Sequence, residues 1–220
     1  MPNTAVVDTI QSCLLVLTGL FPVVNPVGNA PIFLNLTPGY SPDARSILSR
    51  KIALNSYWLL TGSMLIGSHI LDFFGISIPV VQVGGGLVVT STGWMLLHQN
   101  AQESREVAQK KITNEDIADR AFYPLTLPLT VGPGSISVAL TLGANHPPHE
   151  NSLARLLAAV IGPALVALSI YLSYRFAHRL AYLLGETAMN VFVRLTSFIL
   201  LCIGVQILWN GVHALFSQTR

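Results

Sequence analysis

The stretch Phe21-Pro22-Val23-Val24-Asn25-Pro26-Val27-Gly28-Asn29-Ala30-Pro31 lies inside a run, Thr9 to Pro42, that carries no formal charge. Its prolines are too closely spaced for a continuous helix, because each removes an amide donor and crowds the turn before it. The run is also longer than the ~20 apolar residues that one bilayer crossing needs. A membrane helix interrupted partway is the expectation. The pattern returns at Tyr123-Pro124, Pro128 and Gly132-Pro133-Gly134, where Pro124, Pro128 and Pro133 repeat the spacing of Pro22, Pro26 and Pro31 at a constant offset of 102.

The rest of the chain fits a membrane setting. Hydrophobic residues make up 51% of the 220 and charged residues 10%, against roughly 25% charged in soluble domains, and the mean hydropathy is +0.57. Uncharged runs at Thr9–Pro42, Ile52–Leu71, Phe73–Gln102, Ala121–His149, Leu156–Tyr174 and Leu195–Thr219 predict six crossings. The polar N-terminus lacks Lys and Arg, so the first run reads as retained rather than as a cleaved signal.

Basic residues fall on alternate connections: Arg45, Arg50 and Lys51, then Arg105, Lys110, Lys111 and Arg120, then Arg175 and Arg179, against only Arg155 and Arg220 opposite. The positive-inside rule then places both termini outside the cytoplasm. Phe74-Gly75 is echoed by Leu184-Gly185 at an offset of 110, a second sign of duplication. Three crossings per half is an odd number, so the second half enters from the opposite side, as in inverted-topology repeats. The fold class is an all-α membrane protein of six helices in two inverted three-helix repeats, the first and fourth helices broken by Pro/Gly motifs. Residues 1–220 form one membrane domain: repeats over 1–98 and 121–220, with a cytoplasmic linker over 99–120.

The two breaks can reach bilayer depth. Non-helical backbone there must be buried in protein or line a polar cavity, so matching breaks point to one shared central site. Pro31 and Pro133 suit the first turn of a resumed helix, whose free amides and positive dipole end would face a carboxylate or other anion. Gly28, Gly132 and Gly134 permit close approach. Asn25, Asn29, Thr126, Thr130, Ser135 and Ser137 add neutral donors and acceptors for an ammonium or a cation. With Pro26 and Pro128 these residues, Ser137 apart, form the candidate substrate site. Gly132→Val is expected to obstruct it, and Gly28→Val to behave similarly if both halves share it. The competing reading is that the prolines only kink two helices, with Ser and Thr repaying the lost bonds.

Other features read as structural. Gly84-Gly85-Gly86 suits close helix packing, Trp58, Trp94 and Trp209 suit interface anchors, and Arg194 suits snorkelling, with Glu186 as an alternative contact. Cys13 and Cys202 sit in apolar runs and read as buried thiols. His146 and His149 are too few for a metal site, and no metal or cofactor is expected. Nucleic-acid binding is excluded for want of a dense basic patch. An enzyme is not expected: Ser135 is the one tempting nucleophile, and nothing in the spacing of His69, His98 or His213 brings an imidazole beside it. No Asp or Glu lies at the centre of a proposed span, which argues against a carboxylate proton relay.

Asn25-Pro26-Val27-Gly28-Asn29-Ala30-Pro31-Ile32-Phe33, Phe74-Gly75-Ile76-Ser77-Ile78-Pro79, Pro128-Leu129-Thr130-Val131-Gly132-Pro133-Gly134, and Arg194-Leu195 through Gly204-Val205-Gln206 with Asn210-Gly211 together resemble the MarC family of bacterial and archaeal membrane proteins, from about Thr9 to Phe216. The resemblance implies six helices in two inverted repeats, a place in the cell inner (plasma) membrane and, through members similar to SnatA-type carriers, secondary transport of small neutral amino acids such as glycine or alanine. The partners so implied are a neutral amino acid and the lipid bilayer. A channel or non-transporting scaffold is the alternative, with drug export a weaker one. One departure is Val81-Gln82-Val83, where the family commonly has an Arg before its glycines; Arg194, at the matching place in the second half, is retained.

Overall fold

The structure, a computed structural model, describes residues 2–98, 120–144 and 152–218, and every regular element among them is helical. They are α1 (Pro2–Val24), α2 (Pro26–Leu36), α3 (Pro42–Phe74), α4 (Ile78–His98), a wide-turned π-type segment (Ala121–Thr130), α5 (Pro133–Ala144), α6 (Ser152–Arg175) and α7 (Ala177–Gln218). Most of the linker, and both His146 and His149, lie outside the described residues.

Among the described residues four stretches are long and apolar enough to cross a membrane: Val7–Leu34, Ile78–His98, Leu153–Arg175 and Val191–Ser217. The π-type segment and α5, bent by 69° at their junction, make a fifth if taken as one span. Of the six crossings expected from the charge gaps, four or five pass by length and composition among the described residues. The helix that falls short is α3, which has the length, 33 residues, but carries Arg45, Arg50 and Lys51 in its early turns and Asn55, Ser56, Thr61 and Ser63 further on.

Burial is inverted relative to a soluble protein. Trp58, Ile66, Leu87, Trp94, Leu168 and Trp209 face outward, while Ser49, Ser56, Thr126, Thr130, Ser135 and Ser137 are buried. Outward apolar side chains cost nothing in lipid, whereas polar groups there must find partners inside the protein. On α3 the two faces separate cleanly. Leu54, Trp58, Leu65, Ile66 and Ile70 are exposed, and Ser56 and Thr61 point in, their hydroxyls without a hydrogen-bond partner among the described residues. All three tryptophans are outward, as interface anchors would be. Cys202 is exposed rather than buried, and Cys13 is partly buried; neither forms a disulfide.

Glycines set the closest seam, between α4 and the long arm of α7. A Cβ on Gly86 would meet the backbone of Leu208, one on Gly93 that of Leu201, one on Gly204 that of Thr90, and one on Gly211 that of Val83. As the number rises on α4 its partner's falls on α7, so the two helices run antiparallel in one register along four successive contacts. Gly85 faces Ser137 of α5 instead, and Gly84 faces open space. The triple glycine therefore serves two packing surfaces, not one.

Gly75 and Gly185, the pair recognised in the sequence, are the two glycines with positive φ, 66° and 71°. Gly75 closes α3 in the left-handed conformation. At Gly185 the backbone leaves helical geometry and divides α7 into a short arm and a long one. Both are positions where a Cβ would be strained, and each precedes one helix of the α4–α7 seam.

Charge separates to opposite ends of α3. At its start, Arg45 donates to the Thr37 carbonyl (2.7 Å through Nη2), closing the end of α2, and Ser46 accepts a 2.6 Å hydrogen bond from Arg175 at the end of α6. At its other end His69 and Asp72 share a cavity of about 500 Å³ with Arg155 from the start of α6. Arg194 is exposed; the Glu186 side chain is outside what the structure describes.

Candidate functional site

The first break is centred on Asn25. Its backbone is left-handed (φ 46°, ψ 56°), and its Oδ1 accepts from the Gly28 amide at 3.1 Å, capping α2. Asparagine tolerates this conformation because its short polar side chain bonds locally. Proline then occupies the first position of α2 at Pro26, where its missing amide costs nothing. Pro31, expected to start the resumed helix, lies well inside it. The cap decides the start, and the asparagine that supplies it precedes Pro26. Pro31 has no N–H for the Val27 carbonyl, so that carbonyl loses its helical partner.

The second break is built differently. The π-type segment contains non-helical backbone at Tyr123 (φ −123°, ψ 125°) and Leu127 (φ −108°, ψ 126°), and both Tyr123-Pro124 and Leu127-Pro128 are cis. Its wide turns are bridged by side chains: Thr126 Oγ1 donates to the Ala121 carbonyl and Thr130 Oγ1 to the Leu125 carbonyl, each at 2.6 Å. The chain becomes extended at Val131 and turns helical again at Pro133, which opens α5 as expected. Residues related by the offset of 102 thus take different conformations. The break falls before Pro26 in the first half and before Pro133 in the second.

The two half-helix starts differ in what they leave free. In α2 the Asn25 side chain occupies the Gly28 amide. In α5 the Ile136 amide bonds the Gly132 carbonyl at 3.1 Å, and the Gly134 and Ser135 amides have no acceptor among the described residues. The Ser135 hydroxyl, 3% exposed, likewise has no partner there. Three donors are therefore gathered at the positive end of one helix dipole.

The breaks are joined by Asn29. Its Nδ2 donates to the Val24 carbonyl at 2.9 Å and to the Leu129 carbonyl at 3.2 Å, one on each side. Both carbonyls would otherwise be unpaired where water is scarce, a cost of roughly 1–3 kcal/mol each. The amide Oδ1 is left as an acceptor. Behind this junction Thr130 Oγ1 lies 2.8 Å from the Tyr174 hydroxyl, and the Tyr174 ring stacks on Phe33 with centroids 4.6 Å apart. Tyr174 thereby ties α6 to both halves.

A cavity of about 460 Å³ lies between the breaks. Of the twelve candidate site residues it brings together Asn25, Asn29, Pro128, Thr130, Gly132, Pro133, Gly134 and Ser135. Pro26, Gly28, Pro31 and Thr126 are not among its lining residues. Gly28 is covered by the Asn25 side chain, and a Cβ there would collide with it; Gly28 makes room for the cap rather than for a ligand. Thr126 is fully buried and lies 3.5 Å from Asn55 Nδ2 on α3. Ser137 bonds the Val81 carbonyl of α4 at 2.9 Å.

Sequence reasoning missed the far wall, where Val88, Val89, Thr92, Met95 and Leu96 of α4 and Leu200 of α7 close the cavity. They carry no motif, and only the small-residue pattern of α4 hinted that this helix comes close. Tyr174 was missed as well, because its partners Thr130 and Phe33 lie in other segments and nothing in its own run marks them. Among the described residues no charged side chain lines the cavity. It offers neutral donors and acceptors on one side and apolar surface on the other.

An inverted distribution of polar and apolar surface, several membrane-length helices and a break-lined internal cavity define an integral membrane protein of several spans. The chain matches the family described as MarC family integral membrane protein over residues 10–216, and it belongs to that family. It is 33% identical over 204 residues to the UPF0056 membrane protein YvbG of Bacillus subtilis (strain 168), covering 91% of this chain and 94% of the relative. It is 31% identical over 212 residues to the UPF0056 inner membrane protein MarC of Escherichia coli O1:K1 / APEC, covering 93% and 96%. An Archaeoglobus fulgidus UPF0056 membrane protein is 29% identical over 197 residues, 89% of each chain. No solved structure matches the chain.

Proposed function

We propose that the protein is a secondary transporter of small neutral amino acids, of the glycine and alanine type, which bind in the cavity between the two breaks. The observation that carries this reading is the uncharged cavity in which the free Gly134 and Ser135 amides and the Ser135 hydroxyl stand near Asn25, Asn29 and Thr130. A zwitterion suits it. The carboxylate would take the amide donors at the start of α5, the ammonium would take amide and carbonyl oxygens, and a small side chain would meet Val88 and Val89.

In this reading α3 is a sixth crossing, its inward polar face tolerated because it lies against protein while its apolar face meets lipid. The six crossings form two inverted three-helix repeats. The different conformations of the two breaks support that arrangement, because alternating access requires the halves to exchange roles. The basic cluster at the start of α3 and the end of α6 would face the cytoplasm, placing both termini outside it. The inner membrane is the proposed location, in keeping with the name of the Escherichia coli relative. A carrier is favoured over an enzyme because, among the described residues, no histidine lines the cavity beside Ser135.

Labelled glycine or alanine counterflow in proteoliposomes tests the reading. Saturable uptake accelerated by preloaded unlabelled substrate is the expected result. Non-saturating flux would indicate a channel, and no flux across a panel of neutral amino acids would indicate a scaffold or another solute.

A further inference from the structure

The groove between α3 and α6 lies apart from the central cavity. It has a volume of about 540 Å³, an alanine floor from Ala53, Ala164 and Ala167, and apolar rims from Leu54 and Leu168. Tyr57 and Tyr171 stand along it, and Arg50 stands at its head. Arg50 is exposed and makes no hydrogen bond or ion pair among the described residues. One helical turn away, Arg175 bonds both the Tyr171 hydroxyl at 2.7 Å and Ser46 at 2.6 Å. Arg50 thus stands at one mouth of the slot, and Arg175, bonded to the Tyr171 hydroxyl and to Ser46, lies outside its lining.

We propose that this groove holds an anionic phospholipid, with its phosphate on Arg50 and one acyl chain along the alanine floor. Charge complementarity selects the occupant. Arg45, Arg50 and Lys51 crowd the first turns of α3 with Asp43 as the one acid there, and Arg175 adds to them through its bond to Ser46. A guanidinium pairs with phosphate through parallel N–H donors, which a zwitterionic headgroup offsets with its own cation. Small residues on both helices leave the slot that a chain would fill, and the exposed Leu54 and Leu168 would extend its walls. Basic pockets between membrane helices recognise lipid headgroups in this manner.

The test is native mass spectrometry of the purified full chain titrated with phosphatidylglycerol or with phosphatidylcholine of the same acyl chains. The wild type should retain phosphatidylglycerol at a concentration about fivefold lower, the discrimination expected of one basic side chain at a membrane surface. Arg50→Ala should abolish the difference by removing the charge. Ala164→Trp should abolish it by filling the slot from an exposed position with every charge kept. Unchanged unfolding midpoints establish that both variants are folded; if Ala164→Trp is not, the exposed Arg50→Ala decides alone. Equal retention of both lipids by the wild type, or undiminished preference for phosphatidylglycerol in Arg50→Ala, would overturn the proposal.

Discussion

Asn29 donates through Nδ2 to the Leu129 carbonyl at 3.2 Å, and so ties the break in the first half of the chain to the break in the second. The same nitrogen holds the last carbonyl of α1, that of Val24, at 2.9 Å. One carboxamide therefore satisfies two backbone acceptors that the interrupted helices leave behind. It also fixes the wall of the cavity that the Asn25, Thr130 and Ser135 side chains share.

Asn29→Leu keeps the branched heavy-atom skeleton of the side chain and removes both bonds. It is expected to destabilise the protein by about 2–6 kcal/mol, the cost of stranding two buried carbonyls at roughly 1–3 kcal/mol each. The unfolding midpoint in a mixed-detergent titration measures this. Wild-type stability would mean that the two carbonyls find other donors and that Asn29 is not the tie.

Tyr174 separates hydrogen bonding from packing. Tyr174→Phe keeps the stack on Phe33 and should cost only about 0.5–1.5 kcal/mol, since Thr130 still donates to the Leu125 carbonyl. Tyr174→Ala should cost about 3–5 kcal/mol, as for other large buried aromatics. Equal losses in the same titration would place the whole effect in the hydroxyl.

Gly132 and Gly28 should part company. At Gly132 a Cβ meets only the Pro128 carbonyl oxygen at 3.2 Å, so Gly132→Val adds bulk to the cavity wall and should weaken substrate binding with a near-normal unfolding midpoint. Gly28→Ala instead dislodges the Asn25 cap, at a cost of roughly 0.5–2 kcal/mol, and should show first as lost stability. Binding and melting measured on both variants check the pair.

Glycines of α4 on and off the α4–α7 seam should meet opposite fates. Gly84→Ala has nothing within 4 Å and should be neutral or stabilising by up to about 1 kcal/mol through helix propensity. Gly93→Leu would push against the backbone of Leu201 and should prevent a monodisperse folded protein. Size-exclusion profiles after expression distinguish them.

Much of this architecture was legible because breakers and charge are local signals. The prolines and glycines marked both breaks, and Gly75 and Gly185, paired in the sequence as a sign of duplication, fall at the two glycine junctions with positive φ. Which proline restarts a helix was not legible. That choice lies with the Asn25 side chain and its left-handed backbone, and a proline at either Pro26 or Pro31 fits the pattern equally well. The polarity of α3 weakened its standing as an apolar span because its hydroxyls face protein, a fact known only once its neighbours are placed. The contributions of Met95, Leu200 and Tyr174 likewise depend on which helices meet, and no spacing within their own segments records it.

The measurement that bears most directly on the central claim is equilibrium binding of labelled glycine and alanine to the purified protein, with Gly132→Val alongside. The account predicts saturable binding to the wild type and affinity lower by at least about tenfold in the folded variant, a loss of about 1.4 kcal/mol. Saturable binding of the same affinity to both proteins would contradict it and move the substrate away from the cavity between the breaks.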